Sequence, residues 1–146
     1  MLRVLFIAFV IVGVCVLIHI TGLVMLFEWL MDRREKLERQ TSLPRLTLVL
    51  ILVFAVTILL HLTEAALWAA FYQWWDLFPN YETSLYFSLT SYTTMGFGDV
   101  LLPQRWRFLG GIEGFSGVLL CGVSTSFFFV IVNVLLQARS KQNDQS

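Results

Sequence analysis

The chain has 146 residues, of which 58% are apolar and 14% charged. Soluble domains usually carry about 45–50% apolar and about 25% charged residues, so this composition excludes an ordinary water-soluble globule and predicts a membrane protein. Ten Lys and Arg balance ten Asp and Glu, which gives no basic surplus for binding nucleic acid. Two cysteines are too few for a multi-disulfide framework or a Cys-rich metal site.

The first predicted element is a transmembrane helix. Residues 4–27 are 24 consecutive residues without a formal charge, and about 20 apolar residues suffice to cross a hydrocarbon core of ~30 Å. The run is too long for a signal peptide, and no small-residue cleavage site follows it. We expect an N-terminal transmembrane helix over residues 1–30 and a charged cytoplasmic linker over 31–46, in which residues 32–39 continue the helix into solvent and Pro44 breaks it.

Two further spans and a shorter segment follow. The second span, 47–72, is interrupted only by His61 and Glu64, and the third covers about 106–137. Between them, residues 83–98 are uncharged but number only 16, and seven of these are Ser or Thr. Such a segment is too short and too polar to cross alone, which favours a re-entrant half-helix over 81–93 with an extended return over 94–99. The predicted fold class is an all-α membrane protein with three transmembrane helices and this re-entrant segment.

Positive charges predict the orientation. Seven Lys and Arg lie in the linker and the C-terminal tail, residues 138–146, whereas Arg3, Arg105 and Arg107 would lie on the other side. The positive-inside rule therefore places the N-terminus outside and the C-terminus in the cytoplasm of a cell (plasma or inner) membrane. The re-entrant segment then opens to the outside, where an aromatic belt is expected from Tyr72, Trp74, Trp75, Phe78, Tyr81 and Trp106.

The return segment carries the most specific motif. Thr93-Thr94-Met95-Gly96-Phe97-Gly98-Asp99 resembles the selectivity filter of the potassium-channel family, whose usual form is Thr-Val-Gly-Tyr-Gly-Asp. A dehydrated cation needs a column of oxygens, and successive carbonyls point the same way only if alternate residues tolerate positive φ, as Gly does. Gly96 and Gly98 have that spacing, whereas Met95 and Phe97 are expected to point away from the axis and pack against the pore helix.

The resemblance implies further roles and a fourfold assembly. It covers residues 47–137, an ion-channel pore module of outer helix, pore helix, filter and inner helix. It implies K⁺ binding at Thr94, Met95, Gly96 and Phe97, with Gly98 completing the filter. One filter strand cannot surround an ion, so a homotetramer in the lipid bilayer is implied. Gly122, with small hydroxylated residues after it that face the cavity, is the candidate gating hinge and Gly117 the second, the alternative for such glycines being close helix packing.

The filter's surroundings depart from the family pattern. The pore-helix position that often carries a Glu bound to the filter Asp is Thr90 here, and the usual Trp pair is Tyr86-Phe87. The residues expected to support the filter are Thr93, Asp99, Thr90, Glu64 and Glu113. His61 and Glu64 share one face of the second span. One interpretation makes the buried ionisable groups a structural hydrogen-bonded set that ties the outer helix to the pore helix or to Glu113. The other has Glu64 or Glu113 support the filter from behind and makes conduction depend on pH.

Two functions from different classes remain open. The first is a tetrameric K⁺-selective channel that conducts passively and needs no cofactor other than the K⁺ ions in its filter. The second is a weakly selective cation channel or a non-conducting regulatory subunit with a filter-like loop, and an ion-coupled transporter is a weaker third. His61-x-x-Glu64 falls short of a zinc motif, so neither a metal site nor an enzyme is expected. His19, Cys15 and Cys121 are interpreted as helix-packing residues.

Overall fold

In a computed structural model, residues 2–33 and 43–143 are described, and they contain helices but no strand. The helices are α1 (Leu2–Asp32), α2 (Leu43–Trp74), α3 (Tyr81–Tyr92) and α4 (Phe108–Asn143), with a 3-10 turn at Gln104–Trp106 before α4. Three segments are long and apolar enough to cross a membrane, Leu2–Asp32, Leu43–Trp74 and Gln104–Gln137. The expected all-α membrane fold is confirmed.

Helix boundaries differ from the predicted ones at two places. Pro44 lies in the first turn of α2, where a missing backbone N–H costs nothing because that N–H has no partner inside the helix. The helix therefore begins at Leu43 rather than at residue 47. At the other end of the chain, α4 continues through residues 138–143 of the predicted tail. The predicted continuation of α1 over 34–39 lies outside the described residues.

The short helix α3 packs between α2 and α4, and α1 packs against those same two long helices. A separate apolar cluster joins the second half of α1, the first half of α2 and the second half of α4, through Leu26, Leu30, Leu46, Val53, Ile131 and Leu135. These halves meet at one end of the molecule, so α2 runs antiparallel to α1 and α4. The sequence left the role of the first span open; in the structure it braces the outer and inner helices together.

Half of the predicted aromatic belt belongs to the protein interior instead. Tyr72, Phe78 and Trp106 are buried in the apolar core around α3, whereas Trp74 is 86% exposed. Tyr72 packs edge-on against Phe78, with ring centroids 6.0 Å apart. The belt prediction is wrong for the three buried residues, since aromatic content near a helix end does not tell which rings face lipid and which face the pore helix.

Candidate functional site

The pore helix α3 begins and ends through local hydrogen bonds. The Asn80 side chain caps its first turn by accepting from the Thr83 backbone N–H at 2.8 Å. Glu82 in that turn suits the positive end of the helix dipole. The helix ends at Tyr92, and the Thr93 N–H closes the last turn on the Leu89 carbonyl at 3.1 Å. The short helix predicted over 81–93 is therefore confirmed within one residue.

Beyond α3 the backbone alternates in handedness. Thr94, Gly96 and Gly98 have φ of 59°, 47° and 78°, so every second residue lies in the left-handed region. An added Cβ at Gly96 or Gly98 would meet nothing within 4 Å, so glycine is needed there for its φ rather than for space. The alternation was predicted at the two glycines.

Thr94 is the member of this alternation that the sequence did not reveal. A β-branched residue at positive φ is strained, and such strain persists where surrounding contacts impose it. The Thr94 N–H donates to the Ser91 carbonyl at 2.9 Å, and the Gly96 N–H donates to the Thr90 carbonyl at 3.1 Å. These two bonds fold the start of the loop back onto the end of α3 and hold the strained residue in place.

The two apolar side chains of the loop are uncovered. Met95 and Phe97 are each 62% exposed, so the expected packing against the pore helix does not bury them within one chain. Adjacent large apolar side chains of a loop are seldom left exposed to water. Their exposure marks a surface that another element must cover.

Asp99 at the end of the loop is held by Tyr86. The phenol donates to the Asp99 carboxylate at 2.7 Å, and this bond raises the pKa of Tyr86 above its ordinary value. Thr90 does not reach Asp99, because its hydroxyl donates to the Phe87 carbonyl of its own helix at 2.9 Å. The Thr93 hydroxyl likewise donates to a helix carbonyl, that of Leu89, at 2.6 Å. The side chain that binds Asp99 is therefore that of Tyr86, whereas Thr90 contacts the loop through its carbonyl, which accepts from the Gly96 N–H.

Glycines of α4 form the surface against which the pore helix lies. A Cβ added at Gly117 would lie 2.2 Å from the Tyr92 carbonyl oxygen, and one at Gly114 would lie 2.8 Å from that of Ser91. Gly117, the second hinge candidate, is thus required for close packing between α3 and α4. This is the alternative to a gating role that was given for such glycines. A Cβ at Gly122 would meet nothing within 4 Å, so packing does not explain that residue.

Glu64 lies at the centre of a buried polar cluster at the end of α3 that precedes the loop. His19 Nδ1 lies 2.7 Å from one carboxylate oxygen, and the Tyr92 hydroxyl donates to the other. His61 Nδ1 lies 2.8 Å from the Tyr92 hydroxyl and 3.4 Å from Glu64. Since Tyr92 is the last residue of α3, Glu64 ties α2 to the end of α3 from which the loop starts.

Ser124 and His19 have different environments from those expected. Ser124 is buried rather than facing the cavity, and its Oγ lies 2.8 Å from His19 Nε2 and 3.0 Å from His61 Nε2. His19 is a hydrogen-bonding member of the cluster, not only a packing residue. Its partners are 45 and 105 residues away in the chain, so no local pattern could have identified them.

Glu113 supports the middle of the pore helix separately from Glu64. Its carboxyl accepts from the Tyr72 hydroxyl at 2.6 Å and lies 2.5 Å from Ser88 Oγ, which is also 2.7 Å from the Ala65 carbonyl oxygen. One hydroxyl has one proton, so both Ser88 contacts are hydrogen bonds at once only when Glu113 donates to Ser88. The fully buried Glu113 thus fits its surroundings as a neutral carboxylic acid.

A matched pair of variants tests this protonation. Glu113→Gln should change the melting temperature little, because the amide donates to Ser88 and accepts from Tyr72 as a neutral acid does. Glu113→Ala should lower stability by about 2–4 kcal/mol, through a cavity and unpaired buried hydroxyls. Thermal unfolding of the detergent-solubilised variants measures both. Equal destabilisation by the two substitutions would contradict a neutral Glu113.

The chain matches the family described as ion channel over residues 46–134, more than half of its length. It belongs to the ion channel family. No curated protein and no solved structure matches the chain significantly. The matched region runs from the start of α2 into the second half of α4, so the pore helix and the loop lie inside it. The channel is a multi-pass membrane protein through which ions pass, and α1 lies outside the matched region.

Proposed function

We propose that this channel is a K⁺-selective homotetramer that conducts passively through backbone carbonyls. The observation that carries the proposal is the alternating backbone at Thr94, Gly96 and Gly98. Alternation of handedness directs successive carbonyls to one side of the loop, which supplies the oxygen column that replaces an ion's hydration shell. K⁺ would bind at Thr94, Met95, Gly96 and Phe97, with Gly98 completing the filter and Asp99 anchoring its outer end.

Fourfold assembly follows from incompleteness of the single chain. One strand of carbonyls covers one side of an ion, so copies must meet around an axis. The exposed Met95 and Phe97 would be covered by the neighbouring copies, and the C-terminal ends of four pore helices would present partial negative charge to a cation below the filter.

The pore module extends over residues 47–137, after an N-terminal helix and a charged linker, in a cell membrane. The N-terminus would lie outside and the C-terminus in the cytoplasm, so that the filter opens to the outside. Glu64 and Glu113, through Tyr92 and Ser88, would keep the pore helix in place behind the filter. The same proposal makes the protein a transport protein and not an enzyme.

Flux from liposomes tests selectivity directly. Liposomes containing the purified protein should take up K⁺ down its gradient and exclude Na⁺, and Ba²⁺ should block uptake because it has nearly the size of K⁺ and twice its charge. Crosslinking should give a ladder that ends at four chains. Equal Na⁺ and K⁺ flux would contradict selectivity and favour the weakly selective alternative, and absence of flux from tetramers would favour a regulatory subunit.

Tyr86→Phe tests the support of Asp99. The variant should conduct but discriminate K⁺ from Na⁺ several-fold less, because Asp99 loses its donor from the pore helix. The pKa of Tyr86 is raised above the ordinary phenol value of about 10. The hydrogen bond from Tyr86 to Asp99 is therefore intact below about pH 10, and it is lost when the phenol deprotonates as pH rises through the raised pKa. Reversal potentials in mixed K⁺ and Na⁺ measure the effect. Tyr81→Phe, in the exposed first turn of the same helix, is the control and should discriminate as the unmodified channel does. Unchanged discrimination between K⁺ and Na⁺ in Tyr86→Phe would exclude the role of Tyr86 in supporting Asp99.

A further inference from the structure

Three side chains from two helices place metal-binding atoms together behind the pore helix. His19 comes from α1, whereas His61 and Glu64 come from one face of α2. One ligand atom from each lies within 4.8 Å of the others, and the two imidazole centroids are 4.9 Å apart. We propose that His19, His61 and Glu64 form a binding site for a divalent transition-metal ion of the zinc class, independent of the K⁺ path.

Binding of a tetrahedral ion would require the three ligand atoms to move closer together. Both Nδ1 atoms face the Glu64 carboxylate, at 2.7 Å for His19 and 3.4 Å for His61. Zinc binds nitrogen and oxygen at about 2.0–2.2 Å, which places tetrahedral ligand atoms about 3.3 Å apart. The three ligand atoms lie within 4.8 Å of one another, so an ion would draw them together by up to about 1.5 Å through side-chain rotation. The Tyr92 hydroxyl, 2.8 Å from His61 Nδ1 and bonded to Glu64, is a further oxygen beside two of the three ligands.

Ser124 supplies the outer support that metal-binding histidines require. Its hydroxyl oxygen lies within 3.0 Å of Nε2 on both rings, and one oxygen with two lone pairs can accept two N–H bonds. An ion bound at both Nδ1 atoms would require this arrangement, in which both imidazoles are neutral and both Nε2–H groups donate to Ser124. Hydrogen bonding at the second ring nitrogen is the usual way to orient a metal-binding histidine.

The charge of the cluster also favours a cation. Glu64 is completely buried within a transmembrane helix, and the basic side chains that lie within 4.0 Å of its carboxylate in the described part of the chain are the two histidines, which carry a charge only when protonated. A buried carboxylate without a compensating charge is costly. Two imidazoles and one carboxylate are a donor set found in zinc proteins, whereas Ca²⁺ and Mg²⁺ require mainly oxygen ligands.

A side cavity borders the cluster. A cavity of about 360 Å³ between α2 and α4 is lined partly by His61, Cys121 and Ser124. The His61 side chain is 18% exposed, whereas the other two proposed ligands are fully buried. Cys121 Sγ lies 4.0 Å from His61 Nε2, on the ring edge opposite to the proposed site. The thiol therefore should not bind the ion, which makes Cys121 a built-in control.

Binding is tested on the full chain in detergent, stripped with a chelator and titrated with Zn²⁺ or Co²⁺. One ion per chain should bind, Co²⁺ should give the visible bands of a tetrahedral complex without thiolate charge transfer, and Zn²⁺ should raise the melting temperature where Mg²⁺ does not. X-ray absorption at the zinc edge should show nitrogen and oxygen ligands with imidazole scattering. Absence of binding, or sulfur in the ligand shell, overturns the proposal on the unmodified protein.

Variants then assign the ligands. His19→Gln and Glu64→Gln should each weaken Zn²⁺ binding by about tenfold or more, since each removes one of three ligands and leaves a polar side chain for the hydrogen bonds. Cys121→Ser should leave affinity and spectrum unchanged. Unchanged binding in His19→Gln, or loss in Cys121→Ser, would contradict the assignment. None of these binding measurements requires ion conduction. A protein that does not bind Zn²⁺ can therefore be distinguished from one that does not conduct K⁺.

Discussion

Gly96→Ala is expected to abolish K⁺ flux through the reconstituted channel without preventing its assembly. Gly96 has a φ of 47°, and a residue with a Cβ pays about 1–2 kcal/mol in this region. Four copies around one axis would raise the cost to roughly 4–8 kcal/mol, enough to flip the carbonyl column out of its conducting arrangement. The added methyl would meet nothing within 4 Å, so the effect arises from the backbone and not from a clash.

Gly111→Ala is the matched control for this loss. Gly111 lies within helix α4 and also has open space around its Cα, but its backbone is helical. Alanine fits such a position, so flux from Gly111→Ala liposomes should equal that of the unmodified channel. K⁺ uptake by Gly96→Ala at the unmodified rate would show that the left-handed residue is dispensable, and the carbonyl-column mechanism would fail with it.

The sequence predicted features whose cause is local. Apolar run length located the three spans, and the Ser/Thr-rich segment before two alternating glycines located the half-helix and the loop. The remaining features depend on contacts between segments distant in the chain. The hydrogen bond between Tyr86 and Asp99 joins residues 13 positions apart in the chain, and the one between His19 and Ser124 joins residues 105 positions apart. Helical spacing shows that His61 and Glu64 share a face, but not which helix that face meets.

Thr94 illustrates a second limit. A glycine in the sequence can indicate a positive φ, because glycine adopts such angles at little cost. A threonine gives no such indication, although Thr94 has a φ of 59°. Only the two backbone bonds that fold the loop onto the end of α3 explain its conformation. Ser124 follows the same logic. Its position after Gly122 indicated a cavity-facing hydroxyl, but Ser124 contacts the two histidines of the buried cluster inside the single chain.

Gly117→Ala should separate the inner helix from the pore helix. A Cβ there would lie 2.2 Å from the Tyr92 carbonyl oxygen, and a backbone atom cannot rotate away as a side chain does. Overpacking costs about 1–3 kcal/mol or more, and the better helix propensity of alanine returns at most about 1 kcal/mol. Thermal unfolding in detergent should show a clear loss of stability, and the tetramer band after crosslinking should weaken because the displaced pore helix no longer holds its loop.

Gly122→Ala separates packing from hinge bending on the same helix. Its added methyl meets nothing within 4 Å, so stability should stay within about 1 kcal/mol of the unmodified protein. If Gly122 is the gating hinge that the family resemblance implies, single-channel recordings of this stable variant should nevertheless show a lower open probability, because alanine stiffens the helix at that residue. Equal destabilisation at both glycines would refute the packing assignment of Gly117, and unchanged gating in Gly122→Ala would remove the hinge.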